Sequence, residues 1–191
     1  MGQIDSLKMS AYSFSKHQIG TASVTLEYFR PGGHGEKIFG GKIPWYEYWF
    51  TGDYKSSTIT FSEDVLIDDQ LLSKGSYSIF SKPDPGFWEI IFYTDLNLKS
   101  LPKPFEASKI ALQIELDMEE YYYGQESFEI SLQNINHNGA SLFFVWDDFY
   151  AEMPFEFPST LKNVEHLLRD ENTTTSVNTL YEAARYLYYI E

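Results

Sequence analysis

Apolar and polar residues alternate with a period of two along much of the chain, and that pattern predicts its elements. Within residues 108–117, Ile110, Leu112, Ile114 and Leu116 fall on one side, while Gln113, Glu115 and Asp117 fall on the other. Phe128, Ile130 and Leu132 alternate likewise with Glu129, Ser131 and Gln133, and Val24, Leu26 and Tyr28 repeat the pattern near the N-terminus. Neighbouring side chains in a strand point to opposite faces, so each stretch reads as a strand with one buried and one wet face, the habit of antiparallel sheets. Residues 88–93 and 142–146 are nearly continuous apolar runs, which predicts central strands covered on both faces.

Turn residues punctuate these runs. Asp68-Asp69 separates residues 64–67 from Leu71-Leu72, Lys74-Gly75 precedes residues 76–80, and Pro83-Asp84-Pro85-Gly86 leads into residues 87–93. Proline presets φ and glycine supplies positive φ without steric cost. Asn138-Gly139, between residues 128–137 and 140–146, is the pair preferred in two-residue hairpin turns. Residues 95–106, with Pro102 and Pro104, read as a longer loop crossing between sheets, and Pro154 suits residues 150–157 to an edge strand.

The period changes after Pro158. Residues 161–169 fit a short helix with an apolar stripe at Val164, Leu167 and Leu168, and residues 177–190 fit a second, with Leu180, Ala183, Ala184, Leu187 and Tyr188 at helical spacing. The expected fold is mainly β: an antiparallel β-sandwich, jelly-roll-like or Ig-like, over residues 1–158, with a short C-terminal helical pair over residues 159–191. Such a pair is also how a helical repeat begins.

Composition supports a β-rich core and narrows the partners. The 15 Tyr, 15 Phe and 4 Trp make 18% of the 191 residues aromatic, and flat rings favour strands. The formal net charge is −14, a field that repels phosphate backbones, so nucleic acid is excluded as a partner class. There are no cysteines, hence no disulfide, thiolate metal site or cysteine nucleophile. No run approaches the ~20 apolar residues of a membrane span. Residues 1–10 lack the basic start and apolar core of a signal peptide. Localisation stays open between a periplasmic or secreted protein whose leader has been removed and a cytoplasmic one, and oligomeric state stays open too.

No catalytic or cofactor-binding motif is present, and no cofactor is expected. His17, His34, His137 and His166 never fall at ligand spacing along one element. Acidic pairs occur at Asp68-Asp69, Glu119-Glu120 and Asp147-Asp148. They suit turns or calcium loops, or the acid and base of a glycoside hydrolase at the right separation. Residues 44–50 put five rings into seven positions, and Glu120-Tyr121-Tyr122-Tyr123 and residues 186–189 add further clusters. Strand neighbours face opposite sides, so some of these rings point out of the core, where they can stack on sugars or anchor a protein.

One ordered set of residues carries a family resemblance. Tyr28-Phe29-Arg30-Pro31, Gly35, Ile38-Phe39-Gly40, Ile43-Pro44, Trp49, Thr51-Gly52, Asp64-Val65, Gly75, Trp88 and, further on, Met153-Pro154-Phe155 come in sequence. Over residues 12–158 the chain resembles the bacterial family of domain of unknown function 2911. The resemblance implies the two-sheet fold and, through the secretion or lipoprotein signals similar proteins often carry, a bacterial envelope setting. It also implies that residues 159–191 begin a tetratricopeptide-like repeat, as in some similar proteins. Where similar proteins have basic residues flanking Gly35, this chain has His34 and Glu36. Where they have Trp-Arg-Thr-Gly followed by a small residue and Asn, it has Phe50 after Trp49 and Tyr54 after Asp53. Arg30 is then the cationic candidate near the Thr51-Gly52 turn.

The candidate ligand- or partner-binding residues are therefore Arg30, Trp45, Tyr46, Tyr48, Trp49, Asp53 and Tyr54. The function expected is a non-enzymatic binding or protein-interaction module of a bacterial envelope, its partner an unknown protein or glycan. Two alternatives stand beside it: a carbohydrate-active or esterase-like hydrolase using Asp/Glu pairs, and a purely structural domain of a longer repeat protein.

Overall fold

The structure, a computed structural model, describes residues 9–158, Val164 and residues 176–190. Ten strands form two antiparallel sheets. The larger sheet contains β1 (Ala11–Ile19), β2 (Ala22–Arg30), β3 (Ser57–Phe61), β6 (Gly75–Asp84), β7 (Phe87–Tyr93) and β8 (Ile110–Asp117). They lie in the order β1-β2-β3-β6-β7-β8. The smaller sheet contains β4 (Val65–Ile67), β5 (Gln70–Leu72), β9 (Glu119–Gln133) and β10 (Gly139–Glu156), in the order β5-β4-β10-β9.

The period-two sets face each other across one core. Val24, Leu26 and Tyr28 of β2, Trp88, Ile90 and Phe92 of β7, and Leu112, Ile114 and Leu116 of β8 supply one wall. Phe128, Ile130 and Leu132 of β9, with Leu142, Phe144 and Trp146 of β10, supply the other. Rings bridge the walls edge to face, as with Tyr28 on Phe128 (6.0 Å) and Phe61 on Phe155 (5.7 Å). β7 is buried on both faces, as its unbroken apolar run requires.

Two predicted turns form as expected. Asp68 and Asp69, at φ 47° and 57°, make the two-residue connection between β4 and β5, and Pro85-Gly86 closes β6 onto β7. Asn138-Gly139 does not turn the chain by itself. The β9–β10 connection is the loop 134–138, where the Asn136 side chain accepts the backbone N–H groups of Asn138 and Gly139 (3.0 and 2.8 Å). Gly139 is already in β10, at a place where a Cβ would collide with the Phe155 carbonyl oxygen.

That collision reveals the shape of β10. A straight strand of 18 residues would span about 60 Å, yet Phe157 N–H donates to the Asn138 carbonyl at 2.6 Å, so the two ends of β10 meet. The register shifts on either side of Asp147, whose φ is 56°, mark the reversal, and beyond it the Tyr150 ring stacks on Phe143. β9 follows β10 on both sides of the reversal, pairing with residues 141–145 and with Asp147, Phe149 and Tyr150, and the far end of β10 reaches β4 through Glu156. Residues 150–157 are therefore interior to the sheet rather than an edge strand; Pro154 lies outside the registered pairs with β4 and β9.

The loop 95–106 is also corrected. It joins β7 to β8, neighbours in one sheet, so it does not cross between sheets. It folds over the outer face of the larger sheet, where Leu98, Leu101 and Phe105 pack with Tyr48 and Phe50 on Phe80, Ile91 and Tyr93.

At the C-terminus one helix is described, α1 (Val177–Ile190). The Ser176 hydroxyl accepts the Thr179 N–H at 3.2 Å and caps it. The expected helix over residues 161–169 lies outside the described residues, apart from Val164, which is helical and buried.

Candidate functional site

The ring-rich segment before the Thr51-Gly52 turn divides its rings between compartments. Trp49 enters the core between the sheets, against Phe128 (5.0 Å) and Trp146 (5.5 Å), and Trp45 stacks on Phe39 at the edge of that core. Tyr48 and Phe50 turn to the opposite side and pack on the outer face of the larger sheet. Tyr46 alone of the five is exposed, at 63%. Backbone pairing holds the segment down: Trp49 N–H donates to Ser81 O at 2.9 Å and Ser81 N–H to Trp49 O at 3.2 Å. Alternation thus persists through a stretch that carries only a single bridge to the sheet.

The remaining candidates are held by neighbouring strands. The Arg30 guanidinium donates to Glu129 at 2.6 Å and, through Nε, to the Phe128 carbonyl at 3.2 Å, so it ties β2 to β9. Asp53 accepts the Ser10 hydroxyl at 2.5 Å, and the Tyr54 hydroxyl accepts Met9 N–H at 2.6 Å. The Tyr54 ring meets Phe29 edge to face at 5.2 Å. Asp53 and Tyr54 therefore dock the chain entering β1. Beneath the turn, Thr51 donates to the Ser81 hydroxyl (2.9 Å) and the Ser57 hydroxyl to the Thr51 carbonyl (2.6 Å), which satisfies these buried polar groups.

On the outer face of the larger sheet lies a charged group the sequence did not single out. Lys82 of β6 and Glu89 of β7 are cross-strand partners, joined at 2.6 Å, and Glu89 is 7% exposed. The Tyr48 hydroxyl donates to the other oxygen of Glu89, and Lys82 Nζ lies 5.0 Å from the centre of the Tyr48 ring. Burial, and then the Glu89 carboxylate beside it, push the Tyr48 phenol well above the usual tyrosine range.

The sign of the resulting pH effect is fixed. An acid whose folded pKa lies above its unfolded value contributes stability below that unfolded value, about 10 for tyrosine, and loses it as pH rises through the folded value. Melting temperature should therefore fall as pH rises above about 10. The fall should be shallower in Tyr48→Phe, though not abolished, because burial also raises Tyr28 and Tyr77. Parallel curves for the two proteins would show that Tyr48 is not among the groups responsible.

A second aromatic surface lies on the smaller sheet. Tyr122 and Tyr123 of β9 are 88% and 89% exposed. Tyr123 lies 5.8 Å from Tyr121, Tyr121 lies 6.2 Å from Tyr150, and Tyr150 stacks on Phe143 at 5.6 Å with planes 5° apart. Four rings thus form a continuous row along a recess of about 540 Å3 that Tyr122, Glu119 and Glu120 also line. Phe143 points away from the core that takes Leu142 and Phe144, its neighbours in β10. The run Tyr121-Tyr122-Tyr123 carried the signal: three consecutive strand residues cannot all face one core.

Beside this row runs a groove of about 750 Å3 between β8, the β4–β5 turn and the two halves of β10. Seven carboxylates and three asparagines line it, with no lysine, arginine or histidine. Glu119 lines both groove and recess, and its carboxylate accepts the Tyr150 hydroxyl at 2.6 Å.

The histidines are dispersed. His17 lies on β1, His137 in the β9–β10 loop, and His34, at φ 54°, donates its backbone N–H to Glu126 at 2.7 Å; His166 is outside the described residues. Of the acidic pairs, Asp68-Asp69 and Asp147-Asp148 sit at chain reversals and Glu119-Glu120 opens β9. Burial, and then neighbouring Asp148, raise the Asp147 carboxyl above its ordinary value. Among the described residues, no three His, Asp or Glu are grouped so as to hold a metal ion. Among them too, no helix is long and apolar enough to cross a membrane.

Comparison with known proteins agrees with the residue pattern. No curated protein and no solved structure matches the chain. A family model described as Protein of unknown function (DUF2911) matches residues 10–155, covering both sheets and the Trp49–Thr51 turn, and the chain belongs to that family.

Proposed function

We propose that this two-sheet domain is a non-enzymatic, sandwich-type binding module whose recognition surface is the tyrosine row of β9 and β10. The observation that carries the reading is the exposure of Tyr122 and Tyr123, at 88% and 89%, beside the stacked pair Phe143 and Tyr150. Tyrosine places a large rigid ring and a polar tip at a surface for little conformational entropy, which is why it is enriched where proteins bind partners. Residues 44–50, by contrast, commit most of their rings to packing, and Arg30, Asp53 and Tyr54 are held in internal bonds. A bacterial envelope setting belongs to the same proposal and rests on the family resemblance alone.

The test compares wild type with Tyr122→Ala/Tyr123→Ala on arrays of oligosaccharides and peptides. Both side chains are almost fully exposed, so the unfolding free energy should stay within about 0.5 kcal/mol of wild type. At least one class of probe should bind wild type and lose about tenfold or more in the variant. Binding that survives the double substitution unchanged would place the recognition surface elsewhere, and no binding by any probe would leave the purely structural reading in its place.

A further inference from the structure

Charge around the tyrosine row narrows the ligand, given that the row is the binding surface. An aromatic face is negative above its plane and attracts cations, most strongly where carboxylates stand close and no competing cation is present. Both conditions hold. Glu119 and Glu120 line the recess with the rings, and no lysine or arginine does. Through Glu119 the recess continues into the groove lined by Asp68, Asp69, Glu115, Asp117, Glu152 and Glu156. The whole chain carries a net charge of −14. Like charge repels anionic polymers from such a surface, and a neutral glycan would leave the bordering carboxylates without ionic partners.

We infer that the row and groove together take a basic, arginine-rich polypeptide segment of a partner protein. Guanidinium groups stack on Tyr121, Tyr123 and Tyr150, and their aliphatic stems lie along Phe143. Further basic residues extend over the acidic groove, one side chain bridging the two regions at Glu119. Arginine suits this surface better than lysine because its planar, weakly hydrated head stacks on rings while its edge bonds carboxylates.

The experiment uses the full chain and three probes: a glycine-spaced oligoarginine peptide, its oligolysine counterpart and a neutral glucan hexasaccharide. Binding is read by fluorescence anisotropy at low and at near-physiological salt. Wild type should bind oligoarginine more tightly than oligolysine, bind the hexasaccharide not at all, and weaken as salt screens the carboxylates. Tyr122→Ala/Tyr123→Ala leaves the net charge unchanged, yet should cost about tenfold in oligoarginine affinity. Glu119→Gln/Glu120→Gln, which keeps an acceptor for Tyr150, should cost a similar factor at low salt and less at high salt.

Oligoarginine affinity that stays within about twofold after the tyrosine substitutions would reduce the binding to diffuse attraction and overturn the inference. Tyrosine-dependent binding of the hexasaccharide would also overturn it, while leaving the binding-module reading intact. Tyrosine-dependent binding of none of the probes here, nor of any on the arrays, would overturn both.

Discussion

Replacing Trp49 by alanine should lower the unfolding free energy by about 3–5 kcal/mol, a large part of the total stability of a domain this size. The indole is 8% exposed and lies between the sheets, against Phe128 at 5.0 Å and Trp146 at 5.5 Å. Phe128 and Trp146 also contact each other at 5.7 Å, so removing Trp49 opens a gap in a cluster that joins β9 to β10. Those neighbours are themselves large and braced, and the space would collapse poorly. A phenylalanine should be far better tolerated. Trp49 Nε1 is buried without a hydrogen-bond partner among the described residues, and an unmade bond of that kind costs about 1–3 kcal/mol. Trp49→Phe loses ring volume but also removes the orphaned donor, so a net cost below about 1.5 kcal/mol is expected. Urea titrations of the two variants make the comparison. A loss below about 1 kcal/mol for Trp49→Ala would show that residues 45–54 are not anchored through this ring.

What the sequence revealed follows from what local pattern can encode. β8 and the inner part of β9 were legible because Leu112–Leu116 and Phe128–Leu132 place one face in the core and one in water. Ile110 breaks that alternation: the register shifts beside Tyr93, and Ile110 packs with Phe80 and Ile91 on the outer face instead. β1 was not, because both faces of this edge strand stay partly wet and its aromatic residues Tyr12 and Phe14 are more than half exposed. The reversal inside β10 escaped because Asp147-Asp148 reads as an acidic pair, and only contact between Asn138 and Phe157 shows the strand doubling back. Asn138-Gly139 misled for a related reason. Glycine is needed there for close approach to the Phe155 carbonyl, and local composition cannot distinguish that need from positive φ.

The candidate surface shows the same division. Within residues 44–50 the outward and inward rings do alternate, as strand geometry requires, but sequence could not show that a loop covers the outward ones. The row of β9 and β10 is assembled from Tyr121, Tyr123, Phe143 and Tyr150, and only its tyrosine run is contiguous. Phe143 and Tyr150 come together through the reversal at Asp147. A surface built on long-range pairing is invisible until the register is known.

Lys82 and Glu89 are the strongest case of such hidden pairing, and they support the second large prediction. They are seven positions apart on adjacent strands and face each other through the β6–β7 register. Lys82→Met should destabilise the fold by about 3 kcal/mol, near the lower end for a broken buried pair because the lysine keeps some contact with water. The loss arises chiefly in what is left behind. Glu89 would remain buried as a carboxylate with the Tyr48 hydroxyl but without its cation, whereas methionine preserves most of the stem packing. Glu89→Gln alone should cost less, since the amide still accepts from Tyr48 and a buried charge is removed. Combining the two substitutions should recover much of the Lys82→Met loss, giving a coupling energy of about 2 kcal/mol in a double-mutant cycle. Additive losses, or a single-variant cost within about 0.5 kcal/mol, would mean that water screens the pair as it does at an ordinary surface. Strong coupling would instead mean that Lys82 and Glu89 act as one buried unit, the unit to which the Tyr48 hydroxyl ties the aromatic segment. Residues that resemble a binding site in sequence would then have their role in holding that segment in place.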